Sequence, residues 1–185
     1  MRRKQNSVGM TLHRTTSSVN VEIRPAAPEQ EPILANLLEL YAHDFSEFIK
    51  LRLGADGRFG YEHLSLYWED SNRYPFLVMV NDDLAGFVFV QRGSQISGEN
   101  DVWDMAEFFI VRGYRRLRVG MKVAHGIWTR FPGKWEVRVI NRNRTAQEFW
   151  ARTIEQFTGK TISPTPFEKS GEGWQLFSFE SRRAA

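Results

Sequence analysis

The sequence contains no cysteine. That excludes a disulfide framework and a thiolate metal site, and any thiol chemistry must arrive with a ligand. A cytoplasmic location fits such a composition. No apolar run approaches the roughly 18 residues needed to span a bilayer, and the first residues lack the apolar stretch of a secretion signal, so no membrane contact is expected. No cluster of histidines and acids has metal-ligand spacing, and no Ser-His-Asp arrangement stands out, so no metal is expected. A broad basic face is missing too, although the pI of 9.3 invites one. Residues 1–18 hold Arg2, Arg3, Lys4 and Arg14 and no acid, so the total charge of +3 leaves −1 for everything after them. Residues 111–128 contribute +5 by themselves, and the rest of the body sums to −6. Charge gathered at one point suits a small anionic ligand better than a nucleic-acid backbone.

What is present is a chain of 185 residues, 42% hydrophobic and 14% aromatic, enough for one buried core. Residues 1–18 read as a disordered basic leader, with Met10 a candidate start, and residues 19–185 as a single domain. Val19, Val21 and Ile23 alternate with polar residues as a strand does, and Ile33, Leu34, Leu37, Leu38 and Tyr41 follow at helical spacing. The glycine- and aromatic-rich stretch after them reads as a short helix and a loop. A hairpin turns at Asn81, Asp82 and Asp83, and Gly86 in its second strand permits a close backbone approach. "VWDMAEFFIV" reads as a long central strand, and Val119, Val123, Ala124, Ile127 and Trp128 mark a helix stopped by Pro132 and Gly133. "KWEVRVI" is a further strand. Ala146, Phe149, Trp150, Ile154 and Phe157 lie on a helix ended by Gly159, and one or two closing strands follow.

The stretch "VRGYRRLRVGMKVAHGIW" joins the long strand to its helix. A strand that enters a helix through a basic loop presents free peptide N–H groups and the positive end of the helix dipole at one spot, a fit for phosphate. Arg115, Arg116 and Arg118 would add forked hydrogen bonds; the alternative is that they merely solubilise a surface turn.

This stretch resembles the acetyl-CoA loop of the GNAT acetyltransferase superfamily, in which Arg or Gln is followed, after two residues, by Gly, one residue and then Gly or Ala. Arg115 stands at its first position and Gly120 at its last, while Arg118 replaces the middle glycine. "NRTAQEFW" is similar to a second motif of that family through Asn143, Ala146 and Phe149, but Trp150 stands where many members have a tyrosine that protonates the leaving thiolate. The resemblance implies an α/β (mixed α+β) fold: a mostly antiparallel central sheet, helices on both faces, and fourth and fifth strands that splay apart. It implies acetyl transfer from acetyl-CoA to a small-molecule or peptide amine by direct attack in a ternary complex; the alternative is a non-catalytic acyl-CoA-binding or regulatory module. It implies that the pantetheine arm pairs with the backbone of Phe109, Ile110 and Val111, and that the pyrophosphate meets Arg115, Arg116, Leu117, Arg118, Val119, Gly120 and Met121, with Asn143 and Phe149 completing the cofactor site. A homodimer is left open.

Amine acetylation needs a donor to polarise the thioester carbonyl and a base for the surplus proton. The resemblance assigns the first to a main-chain N–H near Ile110. For the second, Glu107 on the long strand is the candidate base, sharing by simple alternation a face with Met105, Phe109 and Val111, with Asp104 on the other. The alternative is a structural acid paired with Arg138. His43 and His63 are further candidates, and the aromatics from Tyr41 to Trp68 either frame the acceptor or are core. Arg115→Ala is expected to weaken acetyl-CoA binding by about 1 to 3 kcal/mol.

Overall fold

The computed structural model describes residues 19–182; the leader expected over residues 1–18 lies outside them. Seven strands form one sheet: β1 (Val21–Pro25), β2 (Arg73–Val80), β3 (Asp83–Arg92), β4 (Val102–Ile110), β5 (Gly133–Ile140), β6 (Thr165–Lys169) and β7 (Glu172–Ser181). Their spatial order is β1-β2-β3-β4-β5-β7-β6. Every neighbouring pair is antiparallel except β4 and β5. The helices are α1 (Glu31–Phe45), the single-turn α2 (Leu66–Glu69), α3 (Val119–Arg130) and α4 (Arg144–Thr158). No helix among the described residues is long and apolar enough to cross a membrane.

Local chemistry accounts for the element ends. The β2–β3 hairpin closes on Asn81 and Asp82 with φ of 49° and 69°, the two left-handed positions of a type I′ turn, which Asn and Asp tolerate. Asp83 already pairs with Val80, so the turn is one residue shorter than the sequence suggests. Asn143 caps α4 by accepting a hydrogen bond from the Ala146 amide at 2.9 Å, and Gly159, at φ 70°, ends that helix in the left-handed conformation. The closing segment is a second hairpin, β6–β7, with β7 inserted beside β5.

The sheet separates two apolar clusters. On one face Leu34, Leu37 and Leu38 of α1 pack on Leu77, Phe87, Phe89 and Phe109. On the other, Val123, Ile127 and Trp128 of α3 and Trp150 and Ile154 of α4 pack on Val88, Met105, Trp135 and Phe177. Burial of each such side chain stabilises the fold by roughly 1.5–3 kcal/mol. Together the clusters fix the helices against the sheet.

Two irregularities set the geometry of the centre. Ala106 is an extra residue in β4, because Phe89 pairs with Glu107 while the next residue, Val90, pairs with Met105. A bulge of this kind resets which face the following side chains use. β4 also pairs with β5 only from Val102 to Asp104, opposite Lys134 to Glu136. Beyond that the two strands part, although β4 continues to Ile110 and β5 to Ile140.

Candidate active site

The basic loop begins where β4 leaves the sheet, passes through a short 3-10 turn (Arg112–Tyr114) and reaches α3 at Val119. Arg116 and Arg118 hold φ of 63° and 60°. Left-handed backbone costs a non-glycine residue about 1–2 kcal/mol. Arg118 thus adopts a conformation that glycine reaches freely, and its side chain does not divert the chain from this path. The peptide N–H groups of Arg116, Leu117, Arg118, Val119, Gly120 and Met121 find no acceptor among the described residues, whereas Lys122 N–H bonds Arg118 O at 3.0 Å. The side chains of Arg116 and Arg118 are exposed. Six amides and the exposed side chains of two arginines therefore lie together at the start of α3.

Arg115 behaves differently from its expected part in that grip. Its amide donates to Arg112 O, its Nε donates to Ile110 O at 2.7 Å, and its Nη2 pairs with Asp44 at 2.6 Å. The guanidinium also lies 5.5 Å above the Phe109 ring. Arg112 shares the same carboxylate at 2.6 Å. Burial pushes the Asp44 carboxyl up, but its hydrogen bonds to both arginines outweigh that and hold it below the ordinary range. Arg115 is a tie between the loop, β4 and the C-terminal end of α1, not a free cation.

Where β4 and β5 part, a cleft of about 410 Å³ opens, walled by both strands, α1 and the loop after it, the start of α4, and Trp174 of β7. Strand alternation decides which backbone groups it exposes. Val111 N–H donates to Ala85 O at 2.9 Å, which points Val111, and with it Phe109, toward β3. The polar groups of Phe108 and Ile110 consequently point to the open side, where Ile110 O meets Arg115 and Ala106 O accepts from Arg138 Nη2 at 3.3 Å. Of the three residues expected to pair with a pantetheine arm, Ile110 turns its backbone groups away from β3, as Phe108 does, while Phe109 and Val111 turn theirs toward it; of these four only Phe108 lines the cleft. Gly86 keeps β3 close at this point: a Cβ there would stand 2.0 Å from Phe109 O.

Glu107 lines the cleft. The bulge at Ala106 moves it off the Met105 face: Met105 belongs to the cluster under α3 and α4, whereas Phe109 and Val111 pack with the cluster under α1. Glu107 now faces the same side as Asp104, contrary to simple alternation. Arg138 does not take Glu107 as its ion-pair partner; it pairs with buried Asp104, which also accepts from Gln91 Nε2 at 2.9 Å. Burial opposes the Arg138 charge, but Asp104 beside it more than compensates and keeps it protonated. The Tyr61 hydroxyl donates to Glu107 at 3.4 Å, and Tyr41 reaches the same carboxylate. Burial raises the Glu107 pKa above the ordinary glutamate value despite opposition from Tyr41, Arg138 and Tyr61. Tyr41, on the apolar stripe of α1, was legible only as core or acceptor frame; nothing in the irregular loop around Tyr61 signals its contact with Glu107. His43 and His63 are exposed and do not line the cleft.

From α4, Asn143, Ala146 and Trp150 line the cleft. The Asn143 Oδ1 is used by the helix cap. Phe149 packs on α3: a Cβ on Gly120 would lie 3.2 Å from its ring, so glycine permits this contact. Trp150 is 4.9 Å from both Phe108 and Phe149, ring to ring, and its indole offers no acidic proton. No group of three histidines or acids among the described residues is placed to hold a metal ion.

No known protein-family profile matches the sequence, and no curated protein sequence matches it. Solved structures do. An acetyltransferase from Thermus thermophilus superposes with a TM-score of 0.64 at 14% identity, over 86% of this chain and 96% of that one. A GNAT-family acetyltransferase from Staphylococcus aureus gives 0.59 at 14% identity, over 86% and 99%. Spermidine N-acetyltransferase from Vibrio cholerae, in complex with CoA and spermine, gives 0.60 at 14% identity, over 87% and 95%. With the single parallel pair that parts into a cleft, these likenesses identify the architecture: the chain has the GNAT acetyltransferase fold.

Proposed function

We propose that residues 19–185 form an acetyltransferase domain that moves an acetyl group from acetyl-CoA to an amine by direct attack in a ternary complex. The observation that carries this reading is the pairing of two features that β4 links: a strand-parted cleft lined by the half-buried Glu107 carboxylate, and a helix start whose amides lack acceptors among the described residues. The cytoplasmic setting and the absence of a metal belong to the same proposal.

The amides of Arg116 to Met121 suit a diphosphate, with the helix dipole and the side chains of Arg116 and Arg118 adding attraction. Acetyl-CoA brings the activated thioester. Phe108 and Ile110 offer backbone groups to the arm that carries it, and the Ile110 N–H donates to the thioester carbonyl as charge develops on oxygen. Glu107 accepts the proton that the attacking amine sheds as its nitrogen bonds to the acetyl carbon. The carbon–sulfur bond breaks with its electron pair on sulfur, and water returns a proton to that thiolate because Trp150 has none to give. A raised Glu107 pKa suits a base that must exchange protons near neutrality.

Trp150 favours a second reading, a module that binds acyl-CoA without turning it over. A thiol-release assay with acetyl-CoA and a panel of amines decides between them. Amine-dependent release supports the transferase, and tight acetyl-CoA binding without release supports the module.

A further inference from the structure

The chemistry of the cleft wall is uneven. Its acidic and basic lining side chains are Glu107, Arg52 and Arg138. Arg138 is neutralised by Asp104 behind it, and Glu107 is the proposed base. Arg52 is different: it is exposed at the acceptor side and makes no hydrogen bond or ion pair among the described residues. A second donor lies nearby. Trp174 lines the same cleft, tilted by 32° against the Phe45 ring with centroids 6.3 Å apart, and its buried Nε1 has no acceptor among the described residues. A buried indole N–H without a partner is costly and asks for one. The same lining includes the apolar side chains of Phe45, Ile49, Leu51 and Phe59.

We infer that the acceptor is a small amine with an apolar or aromatic body and a carboxylate, which Arg52 reads by a charge-assisted bond. Trp174 supplies a second donor, and the apolar wall holds the body. This rests on the acetyltransferase reading and narrows it. A polyamine needs several carboxylates along its length, and Glu107 is the sole acid in the lining. The acceptor expected here therefore differs in charge from the spermine bound by the Vibrio cholerae neighbour. A cleft of about 410 Å³, shared with the arm of the acyl carrier, also suits a single small molecule.

The test uses the full chain with phenylalanine, phenethylamine and spermidine as probes, by thiol release and by calorimetry in the presence of CoA. Phenylalanine is expected to exceed both others in kcat/KM by roughly tenfold or more. Arg52→Gln should collapse that preference mainly through KM, and Arg52→Lys should restore part of it. Equal or better use of spermidine or phenethylamine overturns the inference, as does a preference that survives Arg52→Gln. If no probe is acetylated, the transferase reading fails for this class, and calorimetry still decides: Arg52-dependent binding of phenylalanine supports the inference, and its absence overturns it.

Discussion

Glu107 sits on the α1 side of the sheet with Tyr41 and Tyr61 against it, and burial shifts its carboxyl toward the protonated form. A carboxyl whose folded pKa is raised binds its proton more tightly in the folded chain than in the unfolded one. Stability is then lost as pH rises from the unfolded value, about 4.3, through the folded value. Glu107→Gln removes this cost, so its thermal midpoint at neutral pH is expected to rise. Activity moves the other way: kcat/KM should fall by about 10²–10⁴, the usual yield of a positioned base. The wild-type pH profile should show a limb rising above the ordinary glutamate range, absent from the variant. A variant as active as wild type, with the limb intact, removes Glu107 from the mechanism. Simple alternation groups Glu107 with Met105 as well as with Phe109 and Val111; the extra residue at Ala106 breaks the pleat, so Glu107 keeps the face of Phe109 and Val111 and loses that of Met105.

At the scale of elements, Asp44 joins α1 to the loop that opens α3 through Arg112 and Arg115. The loss expected for Arg115→Ala therefore acts through loop position and not through a lost contact with the cofactor. Asp44→Asn should weaken acetyl-CoA binding by a few-fold, a modest effect because the arginines are largely exposed and screened. Calorimetry on Asp44→Asn, Arg115→Ala and the double variant should give losses that fail to add, since each breaks the same tie. Fully additive losses would show that Arg115 contacts the ligand independently. The elements themselves were largely legible: periodicity marks α1, α3 and α4, and Asn81–Asp82, Asn143 and Gly159 carry their turns and caps in their own chemistry. The Asp44 clasp was not, because ion pairing between positions 44 and 115 depends on a tertiary approach that no local pattern encodes.

For the whole molecule, the proposed function depends on the sheet being incomplete at its centre. β4 and β5 pair for three residues and then diverge, leaving a passage between the α1 face and the α4 face. The basic stretch marked in the sequence the loop that leaves β4, and the resemblance to a fold family implied the parting. Composition could not reveal which backbone groups face the opening; that follows from the Val111 bond to Ala85 and the alternation it sets for Phe108 and Ile110. The central claim is that acetyl-CoA lies along this opening with its diphosphate on the start of α3. A titration of amide nitrogen–proton spectra with acetyl-CoA tests it most directly. The largest shifts are predicted at Arg116 to Met121, Phe108 and Ile110, saturating together. Binding that leaves those amides unmoved, or moves a separate surface instead, would contradict the account.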